Sequence, residues 1–227
     1  MSTVPTRPPA RATRGRRAPR MSGDERERAI LATAERLLAQ RPLREIAIED
    51  LARGAGISRS SFYFYFASKE AVLLSLLDHV AAEADARRAA ALAGAGGRSP
   101  AEVCRAAIGA FHEAFGAHRW VALAAAEARP TAPAVAELWS GMMRRWVDDT
   151  AAVIEAERAR GAAPDGVPAR DLALALTLMN ERVLQATFAR ERPSIDEGAV
   201  VDALVAIWLG AIYGGEQAAP ATFAPPA

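Results

Sequence analysis

A run of hydrogen-bond donors follows a glycine-containing turn in the first third of the chain. Arg59 can pair bidentately with the edge of a guanine base, a contact that discriminates between base pairs by roughly 1–3 kcal/mol. Serine and tyrosine hydroxyls and a lysine ammonium can donate to phosphate oxygens, which positions a protein on the duplex. These donors predict a double-stranded DNA contact made by Ser58, Arg59, Ser60, Ser61, Tyr63, Tyr65 and Lys69.

Two short helices must position these donors. The first, at about 47–54, ends in the turn Gly54-Ala55-Gly56, and the second, at about 59–65, follows Ser58, which can cap it. Two short helices joined by a tight turn form a helix-turn-helix unit, whose second helix can enter the major groove. Arg59 would then occupy the first exposed turn and reach base edges. The alternative is that Arg59 is only a solvated surface charge.

A second group of residues combines aromatic rings with a few polar side chains at helical spacing. Apolar walls with few polar groups are typical of small-molecule sites, although such a stripe is more often ordinary core. Asn180 and Glu181 interrupt a strongly apolar stretch and need partners if they are buried. The candidate site comprises Phe111, Phe115, Trp139, Met143, Trp146, Thr150, Asn180, Glu181, Leu184 and Trp208.

Residue patterns that serve catalysis are absent from the sequence. His79 and His118 stand alone, and His112 is followed by Glu113 without the second histidine that the zinc motif HExxH needs. The sequence contains no phosphate-binding loop, dinucleotide-binding loop or GxSxG elbow. We therefore expect no catalytic residue, no metal site and no cofactor.

Composition favours a cytoplasmic protein with one sizeable core. Half of the residues are apolar, yet no stretch of 18 uncharged apolar residues could cross a membrane. The first 20 residues lack the apolar segment of a secretory signal, and the single cysteine, Cys104, excludes an internal disulfide. No membrane partner is expected.

The periodicity of apolar residues predicts an all-α fold of about nine helices. Serine capping boxes mark two starts, Ser99 with Glu102 and Ser194 with Glu197, and Ser68 precedes a further helix. The predicted helices cover about 24–40, 47–54, 59–65, 68–93, 100–116, 118–128, 134–160, 169–190 and 195–213.

The last two helices are apolar nearly all round, which requires burial on more than one side. Residues 172–179 and 200–212 show this pattern. Pairing with a second copy would bury both helices in a four-helix interface. The sequence therefore predicts a homodimer through the last two long helices.

Residues 24–77 resemble the DNA-binding domain of the TetR family of bacterial transcriptional regulators. The resemblance rests on Leu51-Ala52, Ala55-Gly56-Ile57-Ser58, Phe62-Tyr63, Tyr65-Phe66 and Ser68-Lys69-Glu70, in that order. The segments AELW, TAAVIEAER and LMNER extend it to about residue 214, towards a mycobacterial branch of the family. One departure is Ala47, where the family usually has Thr or Ser that contacts a phosphate.

The resemblance implies a TetR-type fold with an N-terminal three-helix DNA-binding domain, a C-terminal helical domain that binds a ligand and dimerises, and a long apolar pocket. It implies that Tyr63, Tyr65 and Lys69 contact phosphates, and that residues 111, 115, 143, 146, 150, 180 and 208 line the pocket. Ile108, Asp149 and Thr177 join this candidate ligand site. Asp149, Thr177 and Gln185 replace an aromatic, an amide and a phenylalanine of that branch, so we expect a wetter or differently shaped pocket.

Four segments are expected along the chain. Residues 1–23 form a basic arm with six arginines and no acid in its first twenty residues, which either binds DNA phosphates or is a solvated tail. Residues 24–70 form the helix-turn-helix domain, 71–214 the ligand-binding and dimerisation domain, and 215–227 a flexible tail.

Three functions are compatible with these features. The leading one is a homodimeric transcriptional repressor that binds a palindromic operator and is released by a small apolar effector. A second is an activator or an effector-independent DNA-binding regulator. A third, a helical enzyme with substrate in the 111/146/180 region, lacks a nucleophile–base pair and gives the recognition helix no role.

Overall fold

The computed structural model describes residues 22–93 and 96–214, which form nine α-helices and no strand. The predicted all-α fold is therefore confirmed for these residues, while all but the last two residues of the basic arm, and the whole tail from 215, lie outside them. The helices are α1 (Gly23–Leu38), α2 (Ile48–Gly54), α3 (Arg59–Phe62), α4 (Lys69–Leu92), α5 (Pro100–Ala117), α6 (Arg119–Ala128), α7 (Pro133–Ala159), α8 (Ala169–Ala189) and α9 (Val200–Tyr213).

Serine side chains start α3, α4 and α5 as the sequence predicts. Each accepts a hydrogen bond from the backbone N–H three residues later, at 3.1–3.3 Å. The capping box predicted at Ser194 and Glu197 is wrong, because α9 begins only at Val200. Glu197 instead accepts two hydrogen bonds from Arg119, at 2.6 and 3.2 Å, so a tertiary ion pair uses the carboxylate.

The helices α1 to α3 form a small unit, here called the head, around buried Ile30, Leu51 and Phe62. Gly56 adopts φ +68° between α2 and α3, a conformation that glycine takes without steric cost. The third helix is shorter than predicted. After Phe62 the chain continues as tighter turns, with Tyr65 N–H donating to the Phe62 carbonyl at 2.9 Å.

Gly54 lets α2 approach α1 closely. A Cβ atom at this position would lie 2.3 Å from Cγ2 of buried Thr33. Gly54→Ala is therefore expected to lower the free energy of unfolding by about 1–3 kcal/mol, as overpacking does, in urea titrations. Gly141→Ala, in α7 and with no neighbour nearer than 3.8 Å, is the matched control and should be neutral or slightly stabilising. Equal stability of the two variants would contradict the close approach.

The helices α4 to α9 form the larger unit, here called the body. The long helix α4 leaves the head at Lys69 and packs along α5, while α7 packs on α8 and α5 on α9. One apolar core runs from Ile30 in the head through Leu77 in α4 to Leu204 in α9. No helix in the described part of the chain is both long and apolar enough to cross a bilayer.

The apolar residues of α8 and α9 divide between two sides. Leu176, Leu204 and Val205 are buried within the protomer. Leu174, Leu178 and Ile207 are 44–47% exposed on the opposite side, which we call the outer face. The nearly all-round apolar pattern thus corresponds to one side packed in the protomer and one side open.

Candidate DNA-binding surface and apolar cavity

The start of α3 presents the predicted donors to solvent. Ser58, Arg59 and Ser60 are exposed and Ser61 is half-buried. The Ser58 hydroxyl caps the helix and also lies 2.9 and 2.8 Å from the hydroxyls of Ser60 and Ser61. This network fixes the side of the helix on which the hydroxyls stand, and leaves Arg59 beside them.

Arg59 has a partner in the absence of DNA. Its guanidinium lies 2.8 Å from the carboxylate of Glu49 in α2, and both side chains are more than half exposed. Hydrogen bonding with Tyr63, and then the charge of Glu49, raise the pKa of Arg59. A base contact by Arg59 therefore requires the exposed Glu49 bond to break, which costs little in high dielectric.

Five consecutive aromatic residues, 62–66, end α3 and continue beyond it, and they divide between the core and the surface. Phe62 and Phe66 are buried, 0% and 7% exposed, and hold the head together. Tyr63 is 47% exposed and Tyr65 is half-buried, so both hydroxyls lie near the surface. Phe64, which the sequence left unassigned, is 86% exposed on the same surface. Its ring offers the kind of apolar contact that a thymine methyl group accepts.

Lys69 is placed differently from the expected phosphate contact. Its ammonium donates to the backbone carbonyls of Leu43, Arg44 and Ile46 at 2.8, 3.1 and 3.1 Å. An ammonium has three donors, and these three bonds use them all. In this structure Lys69 fastens the turn before α2 to the start of α4, and a phosphate contact would require one of these bonds to exchange.

An apolar cavity of about 90 Å³ lies in the body between α5, α6, α7, α8 and α9. All the predicted ligand-site residues line it except Ile108 and Asp149. The predicted residues on its walls are Phe111, Phe115, Trp139, Met143, Trp146, Thr150, Thr177, Asn180, Glu181, Leu184 and Trp208. The helical spacing read from the sequence therefore brings four separate helices to one site.

Ile108 and Asp149, the other two residues of the predicted ligand site, do not line this cavity. Ile108 is buried on the same side of α5 as Phe115. It lies two turns closer to the start of the helix, about 10 Å from Phe115 along the helix axis. Asp149 pairs with Arg88 of α4. It is rotated about 100° from its neighbour Thr150, so only Thr150 faces the cavity.

Five further residues line the cavity beyond the predicted set. Four of them, Ala122, Leu123, Ala126 and Phe188, carried no assignment, and Gln185 was expected only to alter the shape of the pocket. The α6 residues are small or aliphatic, so their types gave no signal for a site. Phe188 follows Leu184 by one helical turn, and the spacing alone could have found it.

Two polar groups on α8 point at the cavity with hydrogen-bonding capacity. The indole of Trp208 donates to Oδ1 of Asn180 at 2.9 Å, which orients the amide and leaves its Nδ2 donors available. Thr177 is 8% exposed and its hydroxyl has no partner in the structure. An unpaired buried hydroxyl is costly, so both residues are suited to hold one polar group of a guest.

The cavity wall is tied to α4. Nε1 of Trp146 donates to Oδ1 of Asp85 at 2.8 Å, and Arg88 pairs with Asp149 one turn away. Trp146 thus connects the cavity to the helix that begins at the head.

Side-chain contacts also join the head to the body. His118, between α5 and α6, contacts the carboxylates of Glu35 in α1 and Glu83 in α4. Arg44, in the turn before α2, pairs with Glu127 of α6. Movements of the body can reach the head by these routes as well as through α4.

The described residues were also compared with the geometry that a metal ion or a reactive thiol requires. No group of three His, Cys, Asp or Glu side chains there could hold a metal ion. Burial raises the pKa of Cys104 to about 11, so its thiol is not a nucleophile near neutral pH.

Comparison with known proteins identifies the family of the head and of the body. Residues 30–76 match the family described as bacterial regulatory proteins, tetR family, and residues 104–214 match the C-terminal domain of the transcriptional regulator EthR. The chain is 55% identical over 201 residues to the HTH-type transcriptional regulator EthR of Mycobacterium tuberculosis, covering 88% of this chain and 93% of that protein. For EthR of Mycolicibacterium smegmatis the identity is 51% over 204 residues, covering 90% and 94%.

A solved TetR-family structure from Syntrophomonas wolfei superposes with a TM-score of 0.70 over 87% of this chain and 99% of that one. At 15% identity it supports the fold alone. The relatives named here are transcriptional regulators and not enzymes. With a helix-turn-helix head, a helical body and close relatives along most of its length, the chain belongs to the TetR family of bacterial transcriptional regulators.

Proposed function

We propose that the protein is a ligand-responsive repressor that binds a palindromic operator as a homodimer in the cytoplasm and releases it when a small apolar effector enters the body. The observation that carries the proposal is the Trp146–Asp85 hydrogen bond, since it joins a cavity wall to the helix that begins at the DNA-binding head. A protein that senses a ligand and binds DNA needs a connection of this kind.

The outer face of α8 and α9 supports the homodimer. Leu174, Leu178 and Ile207 form an exposed apolar surface on two neighbouring helices. A second copy related by a two-fold axis would cover it with the same residues and create a four-helix interface. The two recognition helices could then meet successive major grooves, about 34–36 Å apart, in a palindromic site.

The size of the cavity supports control by a ligand. Sites for drug-sized molecules measure about 300–1,000 Å³, whereas the volume of this partly open cavity is about 90 Å³. An elongated effector must therefore push the Phe and Trp walls apart, so it binds a wider state of the body better than the narrow one. Only such a difference in affinity can shift the DNA-binding equilibrium.

Trp146→Phe should separate effector binding from effector response. The ring keeps the apolar wall, but the bond to Asp85 is lost. We use 4-phenylbutan-1-ol as a probe and expect the variant to bind it within about threefold of the wild-type affinity by calorimetry. The probe should nevertheless weaken operator binding severalfold less than in the wild type, because the coupling free energy between the cavity and the head, typically about 1–3 kcal/mol, is reduced.

Trp208→Phe is the matched control for this variant. It also removes an indole hydrogen bond, but one that stays inside the cavity, to Asn180. Its bound form should still release the operator as fully as the wild type does. An unchanged response in Trp146→Phe would show that the signal travels by another route, such as the His118 contacts.

Selection of bound sequences from random duplexes tests the DNA-binding part of the proposal. We expect an inverted repeat, bound by two chains, with affinity that falls steeply with salt. A chain that selects no sequence, or a half-site bound by one chain, would contradict it. Sequence-specific binding that no apolar compound weakens would instead favour an effector-independent regulator.

A further inference from the structure

A carboxylate lies on the wall of the mainly apolar cavity. Glu181 of α8 lines the cavity, and its side chain is only 18% exposed. Its partner is Arg129, whose Nη2 lies 2.9 Å from Oε1 of Glu181. A carboxylate held this far from water needs a cation beside it, because removing one partner of such a pair leaves a poorly solvated charge.

Arg129 has a second contact on the same wall. Its guanidinium carbon lies 4.6 Å from the ring centre of Trp139, within the range of a cation–π interaction. Trp139 and Glu181 both line the cavity, whereas Arg129 does not. The wall therefore contains a site for a positive charge, made of one carboxylate and one indole face, and the chain's own arginine fills it from outside.

Arg129 is placed so that it can leave this site. It follows the last residue of α6, and its side chain is 28% exposed, more than that of Glu181. A rotation about its flexible stem would carry the guanidinium into water, where a charged group is well solvated. The Glu181 carboxylate and the Trp139 ring would then be open to the cavity.

We propose that the effector carries a positively charged nitrogen at one end of an apolar body, and that this nitrogen displaces Arg129 from Glu181 and Trp139. The inference rests on the proposed effector function and assigns its ligand class. An anionic effector would face the Glu181 carboxylate, and a neutral one would leave Arg129 in place. A cation gains the ion pair and the indole contact, and it releases Arg129 to solvent.

Three probes with one skeleton test the charge preference. By calorimetry at pH 7, 4-phenylbutylamine should bind about tenfold more tightly than 4-phenylbutan-1-ol, the factor that a partly desolvated cation–π contact of about 1–2 kcal/mol supplies. The carboxylate, 4-phenylbutyrate, should bind most weakly. Equal affinities of amine and alcohol, or tighter binding of the carboxylate, would overturn the proposal.

Variants of the pair sharpen the test. Glu181→Gln should lower the affinity of the amine severalfold and leave that of the alcohol unchanged, because only the cation uses the carboxylate charge and the Trp139 contact remains. Arg129→Met keeps an unbranched apolar stem but removes the competing cation, so it should raise amine affinity severalfold and leave alcohol affinity within about twofold. Arg129→Gln serves the same purpose if the Met variant does not fold.

The matched controls use an ion pair outside the cavity. Asp149→Asn and Arg88→Met disrupt the Arg88–Asp149 pair and should leave the preference for the amine unchanged. An Arg129→Met variant that binds both probes more tightly by the same factor would contradict displacement and indicate only a larger cavity.

The effector function and its ligand class fail in different ways. If the alcohol binds and weakens operator binding but the amine has no advantage, only the charge assignment falls. If neither probe binds, and no other apolar compound weakens operator binding, the effector function falls with it.

Discussion

Leu178→Arg is expected to convert the dimer into a monomer that no longer holds its operator. Leu178 is 47% exposed in the protomer, so an arginine there can reach water in the monomer. In a dimer joined through the outer face, each arginine would be an unpaired charge removed from water, at a cost of several kcal/mol. Sedimentation velocity should show the mass halved, and circular dichroism should remain that of a folded helical protein.

Operator affinity should fall by more than about a hundredfold in the same variant, because a single head makes half of the contacts to a palindrome. Val153→Arg, on α7 and 52% exposed but outside the outer face, is the control and should remain dimeric. Val205 is unsuitable for this test. It belongs to the apolar run 200–212 that the sequence assigned to the interface, but it is 4% exposed and packed within the protomer, so a charge there would unfold the protomer. A monomeric wild-type protein would disprove the interface.

Local sequence signals predicted the helices well where neighbours in the chain decide the structure. Ser58, Ser68 and Ser99 start helices because each hydroxyl meets a backbone N–H only three residues away. The same pattern at Ser194 failed, since Glu197 finds Arg119, 78 residues earlier in the chain, and no local rule contains that contact.

The sequence predicted which side of each helix faces the cavity, but not which residues form the edges of the cavity. Helical period brings Phe111, Trp146 and Asn180 onto inward sides. Whether a residue at the edge of such a side lines the cavity depends on the neighbouring helix. Asp149 faces α4 because it pairs with Arg88 of that helix. Small residues such as Ala126 line the cavity by leaving space, which a sequence does not reveal.

Residue type alone does not decide the role of a hydrogen-bond donor near the DNA-binding surface. Arg59 and Lys69 both suit DNA contacts; Arg59 begins the recognition helix α3, and Lys69 begins the next helix, α4. The backbone of the head surrounds the Lys69 ammonium with three carbonyls, whereas Arg59 has a single exposed carboxylate partner. Accordingly, the two residues should behave differently when they are replaced, and Arg59 is the cleaner probe of base reading.

Arg59→Ala is expected to reduce operator affinity far more than affinity for random DNA. A base contact is worth roughly 1–3 kcal/mol, and a dimer carries two copies of Arg59, so the operator loss should reach about 30- to 25,000-fold. The affinity for random duplexes should fall only by the contribution of one positive charge in each head. Fluorescence anisotropy on both DNAs at several salt concentrations would measure the two losses separately.

Two variants of residues that contact Arg59 separate base reading from phosphate binding. Tyr63→Phe removes a hydroxyl suited to a phosphate, so it should weaken operator and random DNA by similar small factors. Glu49→Gln keeps the shape of the Arg59 partner but removes its charge. Because Arg59 must leave Glu49 before it can reach a base, and because a carboxylate near DNA repels phosphates, this variant should bind DNA more tightly than the wild type. Similar losses on both DNAs for Arg59→Ala would reduce Arg59 to a phosphate contact and leave base reading to Phe64 and the serines of α3.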